Sequence, residues 1–428
     1  MWFELKLLIR YAWVIDPATG LNTMTNLLIE DGKIVKVGGG PMQADQVIDA
    51  AGLVAAPGLV DMHVHLREPG FAYKETVATG CAAAARGGVT TLVAMANTKP
   101  VTDSPELVRL VVEKAAPTGV TVLPVGAVTK GLGGAELTDF AALKQAGAPA
   151  LSDDGVPIQD EKLLRQAMEA AKAVGLPLLD HCEDKDMVQN YAVNAGPVAE
   201  KLGLPGRPAI AEEMQVERDV RLAEETGAHI HICHISTARS VDIVRQAKAR
   251  GVTVTCETCP QYFTLTEQEV LRQGSMARVN PPLRTAEDRT AILEAVLDGT
   301  LDCIVTDHAP HSAEEKARPL PDAPSGMVGL ETSLAACLSY LVKPGYLTVP
   351  QLIRKMTVVP ASILGLEAGT LHAGGAADLC VFDAEEQWTV DPQNFRSKGR
   401  NTVFAGDTLT GKVKLTVCGG KITHREGI

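Results

Sequence analysis

Between residues 59 and 310 the sequence repeats one pattern eight times: a short apolar run, with a polar residue near its end in all but the third, then a helical stretch or a long loop. The runs are LVDMHVHL, VTTLVAMAN, VTVLPVGAV, PALSDDG, LPLLDHCE, AHIHICHIS, VTVTCETCP and LDCIVTDHAP. Helical spacing marks KETVATGCAAAARGG, SPELVRLVVEKAAP and the stretches near 160–174, 211–226 and 237–250. Nearly continuous apolar strands separated by helices signal parallel pairing, because each return to the same sheet end needs a crossover. Eight such units predict an α/β chain closed as a (β/α)8 TIM-type barrel.

The ends of the chain follow another rhythm. Residues 1–56 read as strands and turns in LKLLIRYAWVID, TNLLIEDGKIVKVG and QVIDAAGLVAAPG, with turn signals at Asp31-Gly32 and Pro57-Gly58. The same style returns after residue 368 in ADLCVFD and GKVKLTVCGGKITH. Neither end has enough strands for a core of its own. The expectation is therefore one small β-sandwich domain built from both termini, residues 1–56 and 369–428, beside a barrel spanning 57–368.

Composition narrows the partners. Of 428 residues, 46% are hydrophobic and 21% charged, which supports a sizeable core and argues against disorder. The net charge is −12 with no basic run, so a nucleic-acid partner is not expected. No apolar run approaches the about 18 residues of a membrane span. The amino terminus lacks a signal-peptide cleavage site, and nine cysteines lie singly apart from Cys256 and Cys259. That usage fits a reducing cytoplasm.

Parallel barrels place their chemistry at the carboxyl ends of the strands. Strand one offers His63, His65 and Arg67, which would share a face if the strand continued through them. Strand two ends in Asn97, strand four in Asp153-Asp154, strand five in His181, strand six in His234 and strand eight in Asp307. His234 joins the others only if its strand ends or bulges there. Ser236-Thr237 behind it could cap the next helix. His229 and His231 read as structural, and His372 and His424 as surface residues of the terminal segments. Cys256 and Cys259 lack the second ligand pair that a structural zinc needs. The run HSAEEKARPLPDAPSG (311–326) is either a solvated loop or a loop that closes the pocket.

Four histidines and two aspartates around one pocket suit borderline divalent metals, zinc above all. With two metals, His63, His65 and Asp307 would serve one and His181 and His234 the other, with an aspartate of the strand-four pair between them. Such a site lowers the pKa of bound water and polarises a carbonyl. Asp307 beside that water could pass its proton to a leaving nitrogen. Hydrolysis of an amide or similar carbonyl bond is the expected chemistry.

The segments DMHVHLREPG, GGVTTLVAMANTKP, SDDG, HCED, CHIST, NPPLR, TDHAPH and GMVGLET, in this order, carry a further reading. The chain resembles the amidohydrolase superfamily and, within it, dihydroorotases of the bacterial type I branch, from its first strands to GKVKLTVCGGKI. The resemblance implies metal ligands His63, His65, Asp154, His181, His234 and Asp307, and so selects Asp154 over Asp153. It implies that Arg67, Asn97 and His311 hold a substrate carboxylate and that Asn280 contacts the ring. His65 touches both metal and substrate, and backbone at Ser325-Gly326 closes over the substrate. The implied reaction is the reversible, zinc-dependent cyclisation of N-carbamoyl-L-aspartate to (S)-dihydroorotate plus water, in pyrimidine synthesis, through metal-bound hydroxide. One or two Zn2+ per subunit, a homo-oligomer and association with aspartate transcarbamoylase come with it.

Two alternatives stand beside this reading. Hydantoinases and allantoinases bridge their metals with a carboxylated lysine, for which strand four offers only Asp153-Asp154. Hydantoins also need no carboxylate clamp such as Arg67. Non-catalytic partners of aspartate transcarbamoylase have lost metal ligands, whereas all six stand here. The chain departs from the family's usual residues at Ala96, Gln261 and Val403, none of them a ligand. These departures bear on substrate preference.

Overall fold

The computed structural model describes residues 6–40 and 42–428. The first five residues of the amino-terminal run lie outside the described residues. The opening stretch forms β1 (Leu7–Asp16), β2 (Leu21–Glu30), β3 (Lys33–Gly38), β4 (Gln46–Asp49) and β5 (Val54–Pro57). Next come β6 (Leu59–Val64), β7 (Val89–Ala94), β8 (Thr121–Pro124) and β9 (Leu178–Asp180). A short parallel pair, β10 (Val193–Asn194) and β11 (Gly206–Arg207), precedes β12 (Ile230–Ile232), β13 (Val254–Thr258) and β14 (Cys303–Ile304). The chain ends with β15 (Leu379–Thr389), β16 (Thr408–Cys418) and β17 (Lys421–Arg425).

The barrel is assembled from two parallel sets, β6-β7-β8 and β9-β12-β13-β14. Two seams join them. At one, Val64 bridges His308 in parallel, beyond the end of β14. At the other the fourth strand shrinks to one residue, Leu151, which bridges both Gly126 and Leu178. Four backbone bonds hold that seam: Gly126 N to Ala150 O, Ser152 N to Gly126 O, Leu151 N to Pro177 O and Leu179 N to Leu151 O. PALSDDG is thus a much shorter strand than its apolar start implies, because the chain leaves the pairing after Ser152 and carries Asp154 to the cleft, while Asp153 ties back to Val128 and Thr129.

The crossover helices fall where their spacing puts them: Glu161–Val174, Ile210–Thr226 and Ala238–Ala249. Asp160 and Thr237 cap the first and third by accepting from Leu163 N and Ser240 N. Of the proposed cap pair only Thr237 acts so, since Ser236 turns to Glu212.

Strands from both termini share one eight-stranded sheet in the order β17-β16-β15-β5-β1-β2-β3, with β4 also paired to β1. Register shifts in β1 and β15 bend it. It has its own apolar core, including Ile9, Leu27, Ile34, Val381 and Leu415. Asp31 and Gly32 take positive φ in the β2–β3 hairpin, as their turn signal predicts. Pro57-Gly58 does not reverse the chain. It passes straight from β5 in the small sheet to β6 in the barrel, where a Cβ on Gly58 would strike Thr90. The segment before β16 leaves the small sheet, and its Phe395, Val403 and Phe404 pack into the barrel's core. No helix among the described residues is long and apolar enough to cross a membrane.

Candidate active site

Strand one does not carry Arg67. β6 stops at Val64, His65 N donates to His308 O across the first seam, and Arg67 adopts a left-handed φ of 61°. His234 and Asp307 are also left-handed, at φ 33° and 47°, each just beyond the end of its strand. Side chains other than glycine rarely occupy this region, and doing so at strand exits turns them from the barrel wall into the mouth. Strand six therefore ends before His234, the condition under which that residue could join the site.

At the mouth, Asp154 is surrounded by imidazoles. Its Oδ1 lies 3.4 Å from His63 Nε2, 3.5 Å from His181 Nδ1 and 3.7 Å from His234 Nε2. Its Oδ2 lies 3.5 Å from His65 Nε2, and Asp307 Oδ1 lies 3.1 Å from that nitrogen and 3.8 Å from His63 Nε2. These donor atoms form two groups, His63-His65-Asp154 and Asp154-His181-His234. Asp154 Oδ1, His63 Nε2 and His234 Nδ1 are buried without hydrogen-bond partners. Buried polar atoms are normally satisfied, so converging orphan nitrogen and oxygen donors fit divalent metal ions. Burial opposes ionisation of Asp154, but His63, His181 and His234 outweigh it and hold the carboxyl well below its usual pKa. Burial, then Arg67, lowers the pKa of His65, which favours the neutral ring a metal requires. Asp153 points elsewhere: it accepts from Val128 N, Thr129 N and Thr129 Oγ1 and fixes the preceding loop.

A second layer orients these groups. Glu257, fully buried on β13, places Oε1 2.5 Å from His63 Nδ1 and Oε2 3.1 Å from His231 Nε2. His231 Nδ1 in turn meets Thr255 Oγ1, as does His229 Nε2, so both histidines are structural, and His231 supports His63 through Glu257. Asn97 Oδ1 lies 2.9 Å from His65 Nδ1, and its amide nitrogen donates to Asp154. Glu183 faces His181 Nε2 at 3.6 Å and is paired with Arg207, which also bonds Asn280 Oδ1. Glu212 accepts from Ser236 N and Thr237 N, fixing the turn after His234. Sequence spacing did not reveal Glu257, Glu183 or Glu212 as supports. Glu257 and Glu183 do stand in strand-end segments, CETCP and HCED, beside residues that were recognised.

A cleft opens above the carboxylates and is lined by His65, Arg67, Asn97, Asp154, His181, His234, Asn280, Asp307, His311, Ser325 and Gly326, with Gly155 and Ala309. Only His63 of the proposed ligands lies beneath the lining. The half-buried Arg67 donates to Pro310 O at 3.3 Å, and among the described residues no carboxylate comes within 4.0 Å of its guanidinium. His311 Nε2 donates to Ser325 O at 2.8 Å, and its Nδ1 accepts from Lys74 Nζ at 3.2 Å. Burial, with Arg67 and Lys74 beside it, pushes the His311 pKa down to about 2, so the ring is neutral. Asn280 Nδ2 meets His181 Nε2 at 3.2 Å. Gly326 has φ 136°, and a Cβ there would lie 2.7 Å from Ala309 Cβ and 3.0 Å from His311 Nε2.

The remaining singled-out residues lie away from this cleft. Cys256 and Cys259 are buried free thiols, and burial pushes the Cys256 pKa up to about 12. His372 is exposed, but His424 is largely covered against Glu426, contrary to its reading as a surface residue. Gln261 is buried with its amide nitrogen unpartnered.

Comparison with known proteins identifies the chain's family. A dihydro-orotase-like family model matches residues 52–240, and an amidohydrolase family model matches residues 322–424. The chain is 47% identical over 420 residues to a dihydroorotase of Clostridioides difficile, covering 98% of this chain and 99% of that protein. It is 45% identical over 424 residues to a dihydroorotase of Acetivibrio thermocellus, covering 99% and 100%. Among solved structures, an L-hydantoinase (dihydropyrimidinase) from Arthrobacter aurescens superposes with a TM-score of 0.88 at 25% identity, covering 99% and 97%. A dihydropyrimidinase from Brevibacillus agri superposes with 0.85 at 24% identity, covering 98% and 95%.

Proposed function

The chain belongs to the dihydroorotase family of amidohydrolases, and from that premise we propose that it interconverts N-carbamoyl-L-aspartate and (S)-dihydroorotate at the cleft above Asp154. It is a metal-dependent cyclic amide hydrolase, and the imidazole-rich donor set favours zinc, one or two ions per chain. His63, His65 and Asp307 would hold one ion, His181 and His234 the other, and Asp154 would face both. A divalent ion bound there supplies Lewis acidity and a water that ionises near neutral pH. Residues 57–368 act as the catalytic barrel and the two terminal stretches, 1–56 and 369–428, as its accessory domain.

The chain's own groups do the rest. Arg67, free of any protein carboxylate, binds the substrate carboxylate through its planar fork. Asn97 fixes the His65 ring and borders the same end of the cleft, and Asn280 faces the ring from the His181 side. Neutral His311, with the Ser325–Gly326 backbone, forms the wall beside Arg67 and helps to hold the same carboxylate. In hydrolysis, Asp307 takes a proton from the attacking water and delivers it to the departing ring nitrogen. In cyclisation the same carboxyl moves the proton in reverse.

The observation that carries this reading is the unpaired Arg67 guanidinium lining the cleft beside the imidazole–carboxylate cluster. A hydantoin would leave that cation unmatched. The test is loss of dihydroorotate by the purified, metal-loaded protein, run beside hydantoin and allantoin. Turnover of dihydroorotate alone supports the proposal. Turnover of the uncharged rings without dihydroorotate would refute it.

A further inference from the structure

Two buried cations outside the reacting centre lack a counter-ion. Lys316 is 1% exposed and Arg278 is 2% exposed. Lys316 Nζ donates to three backbone carbonyls: Pro324 O at 3.1 Å, Gly326 O at 3.2 Å and Arg278 O at 3.3 Å. Arg278 donates to Leu320 O, Pro321 O and Asn190 O, and to the side-chain oxygens of Asn190 and Ser325. Among the described residues, neither has a carboxylate within 4.0 Å. Burial, with Arg278 beside it, pushes the Lys316 pKa down to about 7, so its ammonium is fully charged only below that pH, and the acid that acts on Arg278, Asp322, is solvent-exposed.

Every acceptor but Asn190 lies in, or directly against, the loop that follows strand eight and ends at Ser325–Gly326, the wall of the cleft. Asn401 pins the same point without charge. Its amide nitrogen donates to Gly326 O at 3.0 Å and Ala309 O at 3.1 Å, and its oxygen accepts from His311 N. Neutral donors are therefore able to fix this wall. Burying a charge in addition is costly unless an opposite charge answers it. The carbonyls offer dipoles but no formal charge, so the positive potential behind the wall is left for whatever occupies the cleft. Arg67 and Lys74 stand on the same side; Glu315 pairs with Lys74 and, with Asp307 and Asp154, acts on Arg67 only from beyond contact distance.

We propose that Lys316 and Arg278 are specificity-determining positioning residues, which fix the Ser325–Gly326 wall and, as uncompensated cations behind it, make this end of the cleft selective for an anionic substrate. The inference rests on the proposed dihydroorotase reaction and deepens it. Arg67 recognises the carboxylate by contact, and the buried pair acts on it through the wall.

The test is steady-state kinetics of metal-loaded wild type, Lys316→Met, Lys316→Arg and Asn401→Leu with dihydroorotate, alongside metal content and Tm. Assayed at about pH 6, where Lys316 is charged, Lys316→Met should raise KM about tenfold, the order of effect of removing one unit charge behind the wall at a protein's effective dielectric, with kcat within about twofold. Lys316→Arg should restore the wild-type KM. Asn401→Leu, which loosens the same carbonyl without removing charge, should lower Tm and kcat without the isolated KM rise. If Lys316→Met does not yield folded protein, Arg278→Met is expected to give the same KM signature. An unchanged KM in a folded Lys316→Met or Arg278→Met enzyme would overturn the inference, as would an equal KM rise in Asn401→Leu. Absence of turnover by the wild type would instead sink the dihydroorotase reading, which keeps the two failures distinct.

Discussion

Replacing Glu257 by glutamine isolates the role of charge behind the metal-facing histidines. The side chain is fully buried, and its two oxygens contact His63 Nδ1 at 2.5 Å and His231 Nε2 at 3.1 Å. Glutamine keeps the shape but removes the charge, and one of the two imidazoles must then face an amide donor. A hydrogen bond to a charged partner contributes about 1.5–3 kcal/mol and a neutral one about 0.5–1.5. The lost difference, about 1–1.5 kcal/mol per contact, falls mainly on His63, whose basicity toward a metal the carboxylate sustains. Two contacts together give about 2–3 kcal/mol, or a loss of metal affinity of roughly 30- to 150-fold. The assay is zinc titration of metal-free protein against a chromophoric chelator, with turnover measured at saturating zinc to separate affinity from chemistry. Affinity within about twofold of wild type in Glu257→Gln would show that the contact to His63 does not tune the site.

Three further outcomes follow from the cleft. Arg67→Ala should raise KM for dihydroorotate by roughly 30- to 150-fold, the size of a charge-assisted contact of about 2–3 kcal/mol, with metal content unchanged by elemental analysis. Gly326→Ala forces a Cβ to 2.7 Å from Ala309 Cβ at φ 136°, so calorimetry should find a Tm lower by several degrees and kinetics a reduced kcat/KM with full metal loading. His311, held down to about 2, should stay neutral at pH 5 by NMR, while the unfolded chain takes up its proton below about 6.5. Stability contributed by this residue is therefore present above pH 6.5 and falls as pH drops, by about 2 kcal/mol between pH 6.5 and 5, and His311→Gln should flatten that slope in denaturant titrations.

The barrel was legible because apolar strands and helices alternate at a fixed spacing, and the helix after His234 carried its cap, Thr237, in the sequence. The residues that converge on the cleft were legible because chemistry gathers at strand exits, whichever residues pack below. What spacing misjudged was where strands stop. His63, His65 and Arg67 read as one face, but β6 ends at Val64, and Arg67 reaches the cleft only by a left-handed turn. PALSDDG read as a strand, but backbone pairing survives only around Leu151. Pro57-Gly58 read as a turn because local composition cannot tell a reversal from a crossing between sheets. Glu257 and Lys316 were invisible for another reason. Their partners are a histidine 194 residues away and carbonyls that carry no sequence signal, so only tertiary packing distinguishes them from ordinary charged residues.

The one-residue strand at Leu151 has a thermodynamic consequence. Asp154, the carboxylate that faces four imidazoles, hangs three residues beyond the narrowest backbone pairing in the barrel. His63 and His65 descend from one parallel set and His181 and His234 from the other, so an ion held between them and Asp154 spans the very seam that the backbone leaves thin. Local opening there exposes few hydrogen bonds and should be among the cheaper excursions of the native state. Ligand occupancy raises the free energy of any opening that releases it. Amide exchange in residues 150–154 should accordingly slow far more on metal loading than exchange in β7 or β13, making this segment a built-in gauge of occupancy for the whole molecule.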